Sequence, residues 1–394
     1  MLGDRNIVFL SSVEWDRLWQ GHHELASRLA AEGNRVLYVE NIGVRAPRWE
    51  DRSRVADRLA RWATTVFTGG ARQVADRLWV SSPLLMPPFT RSSRSVNRHL
   101  MIEALARTCR SLAMSDPILW TYLPTDTARD VIGRLRSPRS LVVYSCLAEF
   151  AELVTDRDAL AHAEEALLAQ CDLVFALPDL VERCAKHSER VVPWSPGVNT
   201  ERFDPWADPS PPAELLHMRR PVIGYVGGLH RHLDVGLLAD LIEARPDWTW
   251  VFVGPVQSAV DPIARRPNVR LLGELPHAGL PGAVAAFDVG IVPYRLSAYT
   301  TSVIPTKVGE YLAMGKPVVS TPIPAAVRLE AASGGMVLVA PPEPAKFLPA
   351  LDEAVRLGQD AGTAERCRSL AMSWAWSRRI EEMSSAVEAS ARPS

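Results

Sequence analysis

The stretch Ser302–Pro322, SVIPTKVGEYLAMGKPVVSTP, constrains the fold more than any other part of the chain. Just before it, Phe287-Asp288-Val289-Gly290-Ile291-Val292-Pro293 has the length and apolar character of a buried strand closed by proline. Pro305 suits the first position of a helix, where its missing N–H costs nothing. Lys307 to Met314 continue helically, with Val308, Tyr311 and Leu312 on the apolar face, and Gly315 stands where a helix C′ residue is wanted. Lys316-Pro317 then turns the chain into the strand Val318-Val319-Ser320. Strand, loop, helix, tight turn and strand make up half of a doubly wound sheet.

This unit carries a candidate site. Open α/β sheets bind ligands beyond the carboxyl ends of their strands. The loop 294–304 and the helix start after it lie there, and free N–H groups at a helix start favour an anion. Thr306 and Lys307 add a hydroxyl and a cation, and Glu310 follows three residues later. A carboxylate so placed can accept hydrogen bonds from the vicinal hydroxyls of a ribose. Phosphate at the helix tip with ribose one turn on describes a nucleoside diphosphate. The alternative is a Lys–Glu surface pair at i, i+3.

The stretch resembles the donor-binding motif of GT-B glycosyltransferases, in particular those of glycosyltransferase family 4 (group 1). Glu310 matches the second of that family's two motif glutamates, and Gly315, Pro317, Val318 and Val319 match the run after it. The first glutamate is replaced by Ser302. A P-x-K-x-x-E-Y-L-A form fits through Pro305, Lys307, Glu310, Tyr311, Leu312 and Ala313. The resemblance is specific over about 220–322 and implies two Rossmann-like doubly wound α/β domains facing across a cleft. It implies an acceptor-binding domain at 1–205, a donor-binding domain at 206–372, and a helix at 373–394 that crosses back to the first domain.

A length of 394 residues accommodates two such domains. The net charge of −1 gives no case for nucleic-acid binding. Nine histidines and five cysteines show no metal-ligand spacing, and the odd, unpaired cysteines favour a reduced, cytoplasmic setting. No signal-peptide pattern opens the chain, and no apolar run approaches the roughly 18 residues of a membrane span.

In the first half, Ile7–Leu10 and Val36–Val39 flank a helical pattern at Gly21–Ala31, a βαβ start with no G-x-G-x-x-G. A nicotinamide or flavin dinucleotide is therefore disfavoured. The first strand leads instead into Ser11-Ser12-Val13-Glu14-Trp15-Asp16, followed by Trp19, His22 and His23. Trp15 and His23 are acceptor-side candidates; the alternative is that Trp15 and Trp19 pack on each other. Residues 45–77 carry Arg45, Arg48, Arg52, Arg54, Arg58, Arg61, Arg72 and Arg77 among Trp49, Trp62, Val66 and Phe67. They read as a solvated helical insertion, with peripheral contact to an anionic membrane or lipid-linked acceptor as the other reading.

Alternation then resumes, with a helix at Ser95–Met114 and strands at Pro117–Trp120, Leu141–Tyr144 and Asp172–Ala176. Similar glycosyltransferases carry aspartates where this chain has Ser145 and Ala148, so Glu149 is the surviving acid and base candidate, with His22 and His23 as rivals. The alternative for Glu149 is a surface acid. Val191–Asn199 resembles the interdomain element of GT-B enzymes, and prolines 205, 209, 211 and 212 mark a linker.

The second half opens on the strand Val222–Val226 and the loop Gly227-Gly228, which lets backbone amides approach a ligand. In the resembling family this loop meets the donor phosphate with help from a cation, here Arg231 or His232. Tyr294 belongs to a polar loop beside the same site. With the resemblance, the observations predict a metal-independent hexosyltransferase, and likeness to family 4 implies retention of anomeric configuration. It would need no cofactor, only a nucleotide diphosphate sugar as co-substrate, and its acceptor would be a sugar, a lipid-linked molecule or a small molecule. Lys307 and the Gly227-Gly228 loop would stabilise the leaving diphosphate. Rival readings are a nucleotide-sugar epimerase or a phosphorylase on the same fold, and a non-catalytic nucleotide- or sugar-binding module.

Overall fold

The computed structural model describes residues 2–16, 19–40, 70–83, 95, 102–147, 157–301 and 303–391. The chain divides into two compact units, Met1–Ser195 with Ile380–Ser394, and Pro196–Arg379. The C-terminal helix Trp376–Ser390 spans the second division.

The first unit is built on eight strands: β1 (Asn6–Leu10), β2 (Arg35–Val39), β3 (Arg72–Ala75), β4 (Leu78–Ser81), β5 (Ile118–Thr121), β6 (Val142–Cys146), β7 (Leu173–Ala176) and β8 (Val191–Pro193). Their order is β3-β4-β2-β1-β5-β6-β7-β8, parallel except for the β3–β4 pair. Strands of a parallel sheet covered on both faces read as apolar runs, and Ile7–Leu10 and Val36–Val39 are wholly buried. Phe9 packs on Trp120 at 5.3 Å between ring centroids, and Trp120 stacks on Phe175 at 5.6 Å. Gly33, at φ 91°, ends the helix Gly21–Ala31. Thr125 caps the helix Asp126–Leu135 by accepting from the Ala128 amide.

The second unit holds β9 (Val222–Val226), β10 (Thr249–Val253), β11 (Val269–Gly273), β12 (Val289–Val292), β13 (Val318–Ser320) and β14 (Val337–Val339), all parallel in the order β11-β10-β9-β12-β13-β14. Two glycines let large rings press close against this sheet. A Cβ on Gly224 would meet the Phe287 ring at 2.1 Å, and one on Gly290 the Tyr311 ring at 2.2 Å.

Both sheets have a switch point, where the strand order reverses direction. It lies between β1 and β5 in the first unit and between β9 and β12 in the second. At such a point the loops leaving two neighbouring strands diverge and open a crevice at their carboxyl ends.

Two expectations are corrected. Arg72 and Arg77 do not lie on a helix: they belong to the antiparallel hairpin β3–β4 at the sheet edge. The alternating segment Arg72–Ala75 turns back through Arg77, at φ 55°. Arg72 pairs with Asp16 at 2.5 Å, and Arg77 donates to the Gly33 carbonyl at 2.5 Å, so both charges are used locally. Residues 45–69 lie outside the described residues. The helix of the 302–322 stretch is Thr306–Ala313, with Pro305 the extended residue before it (φ −76°, ψ 98°) rather than its first turn. Gly315 follows the helix at φ 73°, as the C′ reading requires. Among the described residues, no helix is long and apolar enough to cross a membrane.

Candidate functional site

In the second unit the loops from the switch-point strands converge on Lys307. Gly227-Gly228 leaves β9, and Tyr294 leaves β12. The Lys307 ammonium lies 2.5 Å from the Tyr294 hydroxyl and 3.3 Å from that of Tyr225, and 4.9 and 4.7 Å from the two ring centroids. Burial works against its charge, but the two tyrosines outweigh burial and raise its pKa above the ordinary lysine value. Gly227 sits at φ 135°, open to glycine and strained for other residues. A Cβ there would lie 3.0 Å from Lys307 Nζ, so the cation lies directly against the glycine backbone. The loop is pinned from below: Tyr225 donates its hydroxyl to the Gly228 carbonyl at 3.1 Å, and Tyr311 accepts the Val226 amide at 2.7 Å.

The helix Thr306–Ala313 starts beside this cation with no side-chain cap. The positive end of its dipole lies there, and of its first-turn amides that of Val308 already donates to the Pro305 carbonyl at 3.0 Å. Thr306 is exposed at that tip. Glu310 is half-buried one turn on, on the Lys307 side of the helix by its spacing. Gly309 lets the opposite face close on Val198, whose Cγ2 would be 2.2 Å from an added Cβ.

Arg231 is exposed and donates to His232 Nε2 at 3.3 Å. His232 stacks on Tyr299 at 4.1 Å. His230 lies 5.6 Å from the Tyr294 ring, and burial, with help from the charge on Lys307, lowers its pKa to about 4. The structure therefore unites Gly227, Gly228, Tyr294 and Lys307, adds Tyr225 and His230, which the sequence did not single out as site residues, and sets the motif's Tyr311 beneath the same loop. Tyr225 and Tyr311 read as core aromatics along the chain. Only the β9–β12 adjacency brings Tyr225 beside a lysine 82 positions away. Ser302 lies outside the described residues.

In the first unit, His22 stacks on Tyr122 with ring centroids 3.7 Å apart, at the β1–β5 switch point. Its Nδ1 is 2.8 Å from Ser11 Oγ. Burial, and then the neighbouring His23, push its pKa down to about 3, so the ring is neutral at ordinary pH. His23 does not face outward as an acceptor-side residue would. It is wholly buried, its Nδ1 accepts the Gln20 amide at 2.9 Å, and its Nε2 meets the Glu14 carbonyl at 3.2 Å. This is one arm of a capping box, and it occupies both ring nitrogens.

Trp15 is half-buried and packs on Trp19, His23 and Tyr38 at centroid distances of 5.8, 5.1 and 5.0 Å. The buried Glu40 carboxylate holds this loop, accepting from the Trp15 amide and the Ser82 hydroxyl, each at 2.6 Å. Glu149 and Ala148 lie outside the described residues. Among the described residues, no group of three or more His, Cys, Asp or Glu side chains could hold a metal ion.

Comparison with known proteins places this geometry. Residues 220–356 match the family described as glycosyl transferases group 1. A candidate teichuronic acid biosynthesis glycosyltransferase of Bacillus subtilis (strain 168), TuaH, is 29% identical over 189 residues. That match spans about half the length of each protein, 47% of this chain and 47% of the relative. The whole chain superposes on a glycosyltransferase from Rickettsia africae ESF-5 (TM-score 0.69, 11% identity, all of both chains covered). It also superposes on Anabaena Alr3699/HepE, solved in complex with UDP (TM-score 0.65, 14% identity, 98% of this chain and 100% of that one). At these identities the likeness is one of fold.

Proposed function

We propose that this protein, whose residues 220–356 match the group 1 glycosyltransferase family and whose fold is that of GT-B enzymes, transfers a sugar from a nucleotide diphosphate sugar to a hydroxyl acceptor. The observation that carries the proposal is the half-buried Lys307 ammonium, tied to two tyrosine hydroxyls and set against the Gly227 backbone, beside the uncapped start of the helix Thr306–Ala313. When the bond between sugar and diphosphate breaks, negative charge grows on the leaving phosphate. A cation already desolvated and held by two tyrosines meets that charge without reorganising. Thr306 and the first-turn amides complete the phosphate cradle, and Arg231 at the rim supplies a second cation. Glu310, one turn on, suits the ribose hydroxyls.

The protein's own positive groups make a metal unnecessary in this scheme. Membership of the group 1 family in the donor half favours retention of configuration. The Bacillus relative's assignment favours a polysaccharide acceptor, and a hexosyl donor and a cytoplasmic setting fit the same reading.

Titration calorimetry with UDP, GDP, dTDP and ADP tests the proposal directly. One nucleotide is expected to bind well above the rest. In Lys307→Ala the turnover of the matching nucleotide sugar should fall more than the affinity for it. Absence of binding by all four, or wild-type turnover in Lys307→Ala, would overturn the assignment. Turnover of the donor with no acceptor present would indicate an epimerase.

A further inference from the structure

In the first unit, four groups at the switch point form a chain whose proton directions can be worked out. Ser11 Oγ lies 3.0 Å from the Val13 amide, 2.8 Å from His22 Nδ1 and 2.8 Å from the Tyr38 hydroxyl. Tyr38 Oη is also 3.0 Å from the Val13 carbonyl oxygen. Ser11 and Tyr38 are fully buried, so water does not relieve a mismatch. The Ser11 hydroxyl has one proton and two acceptor lone pairs, and the Val13 N–H takes one of those pairs. The other pair and the proton are divided between His22 and Tyr38.

If Tyr38 donates to Ser11, then Ser11 donates to His22, and Tyr38 Oη and the Val13 carbonyl face each other at 3.0 Å with no proton between them. If Tyr38 donates to the Val13 carbonyl, every short contact holds one proton. Ser11 then donates to Tyr38, and His22 Nδ1–H donates to Ser11. The second arrangement leaves no pair of lone pairs opposed and is favoured by roughly the cost of an unmade buried hydrogen bond, about 1–3 kcal/mol.

We infer that Ser11 and Tyr38 are positioning residues that fix His22 as the Nδ1–H tautomer, so that its Nε2 presents a lone pair to a hydroxyl of the substrate bound in the first unit. The His22 ring is held by its stack on Tyr122, and Nε2 has no hydrogen-bond partner among the described residues. It stands beyond β1 and β5, where an open α/β sheet places its ligand. A neutral imidazole in this state accepts a hydrogen bond and orients the hydroxyl. The role inferred for His22 is to align the acceptor oxygen through this hydrogen bond. The inference rests on the glycosyl-transfer reading for the identity of the hydroxyl, but not for the tautomer.

The tautomer can be read without substrate, by long-range 1H–15N correlation spectra of the full chain labelled with 15N-histidine, at pH 7.5. The His22 signals are identified by their loss in His22→Gln. His22 is expected to carry its proton on Nδ1; a proton on Nε2 in the wild-type protein overturns the inference. In Tyr38→Phe the Ser11 proton loses its acceptor and turns to His22, so the tautomer should change to Nε2–H. Turnover should then fall about tenfold with the donor KM unchanged. Wild-type turnover with a changed tautomer would equally sink the proposed role. Ser11→Ala, which breaks the chain at its centre, serves if Tyr38→Phe does not fold. Failure of the nucleotide screen would leave the spectra interpretable, so the two readings fail separately.

Discussion

Gly227→Ala is the most searching test of the second unit. At φ 135° an alanine is held in a backbone region that costs a non-glycine residue about 1–3 kcal/mol. Its Cβ would also lie 3.0 Å from Lys307 Nζ, 3.2 Å from Cε and 3.3 Å from the Tyr225 hydroxyl. None of these atoms is the loose end of a mobile chain, because the ammonium is tied to Tyr294 and the Tyr225 hydroxyl to Gly228. Moving the cation by a few tenths of an ångström weakens a charged hydrogen bond and adds about 1 kcal/mol. The sum is about 2–4 kcal/mol. For a unit of this size that is a melting point lowered by about 4–16 °C.

Gly228→Ala is the internal control. Gly228 has no left-handed φ, and the nearest atoms to its Cβ would be the amide end of the exposed Gln257, at 3.0–3.2 Å, which can swing away. It should cost less than about 1 kcal/mol. Scanning calorimetry of the three full-length proteins gives the stabilities, and titration calorimetry with the preferred nucleotide gives the affinities. Affinity should fall at least tenfold in Gly227→Ala and hold in Gly228→Ala. Equal melting points and equal affinities for the two variants would refute the contact between cation and glycine loop.

Three further predictions follow from the same geometry. Tyr311→Phe keeps the ring under Gly290 but leaves the Val226 amide without its acceptor, and should lower stability by about 1–3 kcal/mol in a denaturant titration. Glu310→Ala should weaken nucleotide binding by about 1–3 kcal/mol, roughly fivefold to 150-fold in Kd by calorimetry, with little change in melting point because the side chain is only half-buried. The folded chain holds His22 and His230 neutral, at about 3 and about 4 against an ordinary 6.5, so below pH 6.5 the unfolded chain binds protons that the folded one does not. That contribution to stability is therefore whole above pH 6.5 and lost as pH falls towards 4. The melting point should drop between pH 7.5 and 5, and less steeply in His22→Gln; parallel curves would count against a buried neutral His22.

What the sequence disclosed follows from the range over which each signal acts. Strand–helix alternation is local, so β1, β2, β9 and β12 stand where apolar runs lie between breakers. The proline and glycine at the two ends of Thr306–Ala313 mark that helix to within a residue. The hairpin Arg72–Ser81 was obscured because its arginines extend a basic stretch, and charge density says nothing of strand pairing. Lys307 was legible as a cation but not as one held between two tyrosines. Its tyrosine partners come from strand ends 82 and 13 positions away, and only the sheet order makes them neighbours. His22 and His23 are adjacent in sequence and indistinguishable as residue types. The capping geometry of Gln20 turns one ring into the fold and leaves the other stacked at the switch point.

The two units treat a half-buried titratable side chain in opposite ways, and the choice of neighbours explains the difference. Burial alone favours the neutral form of both lysine and histidine. Beside Lys307 the chain supplies two phenol oxygens and two ring faces, and no second cation bonds to it, so the charge survives burial. Beside His22 it supplies another imidazole, a serine and an aromatic stack, none carrying negative charge, so burial prevails and the ring stays neutral. A permanent cation suits a developing phosphate charge. A neutral ring with a fixed tautomer suits a hydroxyl, which must be oriented without being bound as an ion. On the proposed reading, the half-buried cation of the second unit would meet the leaving diphosphate and the neutral ring of the first would orient the acceptor hydroxyl.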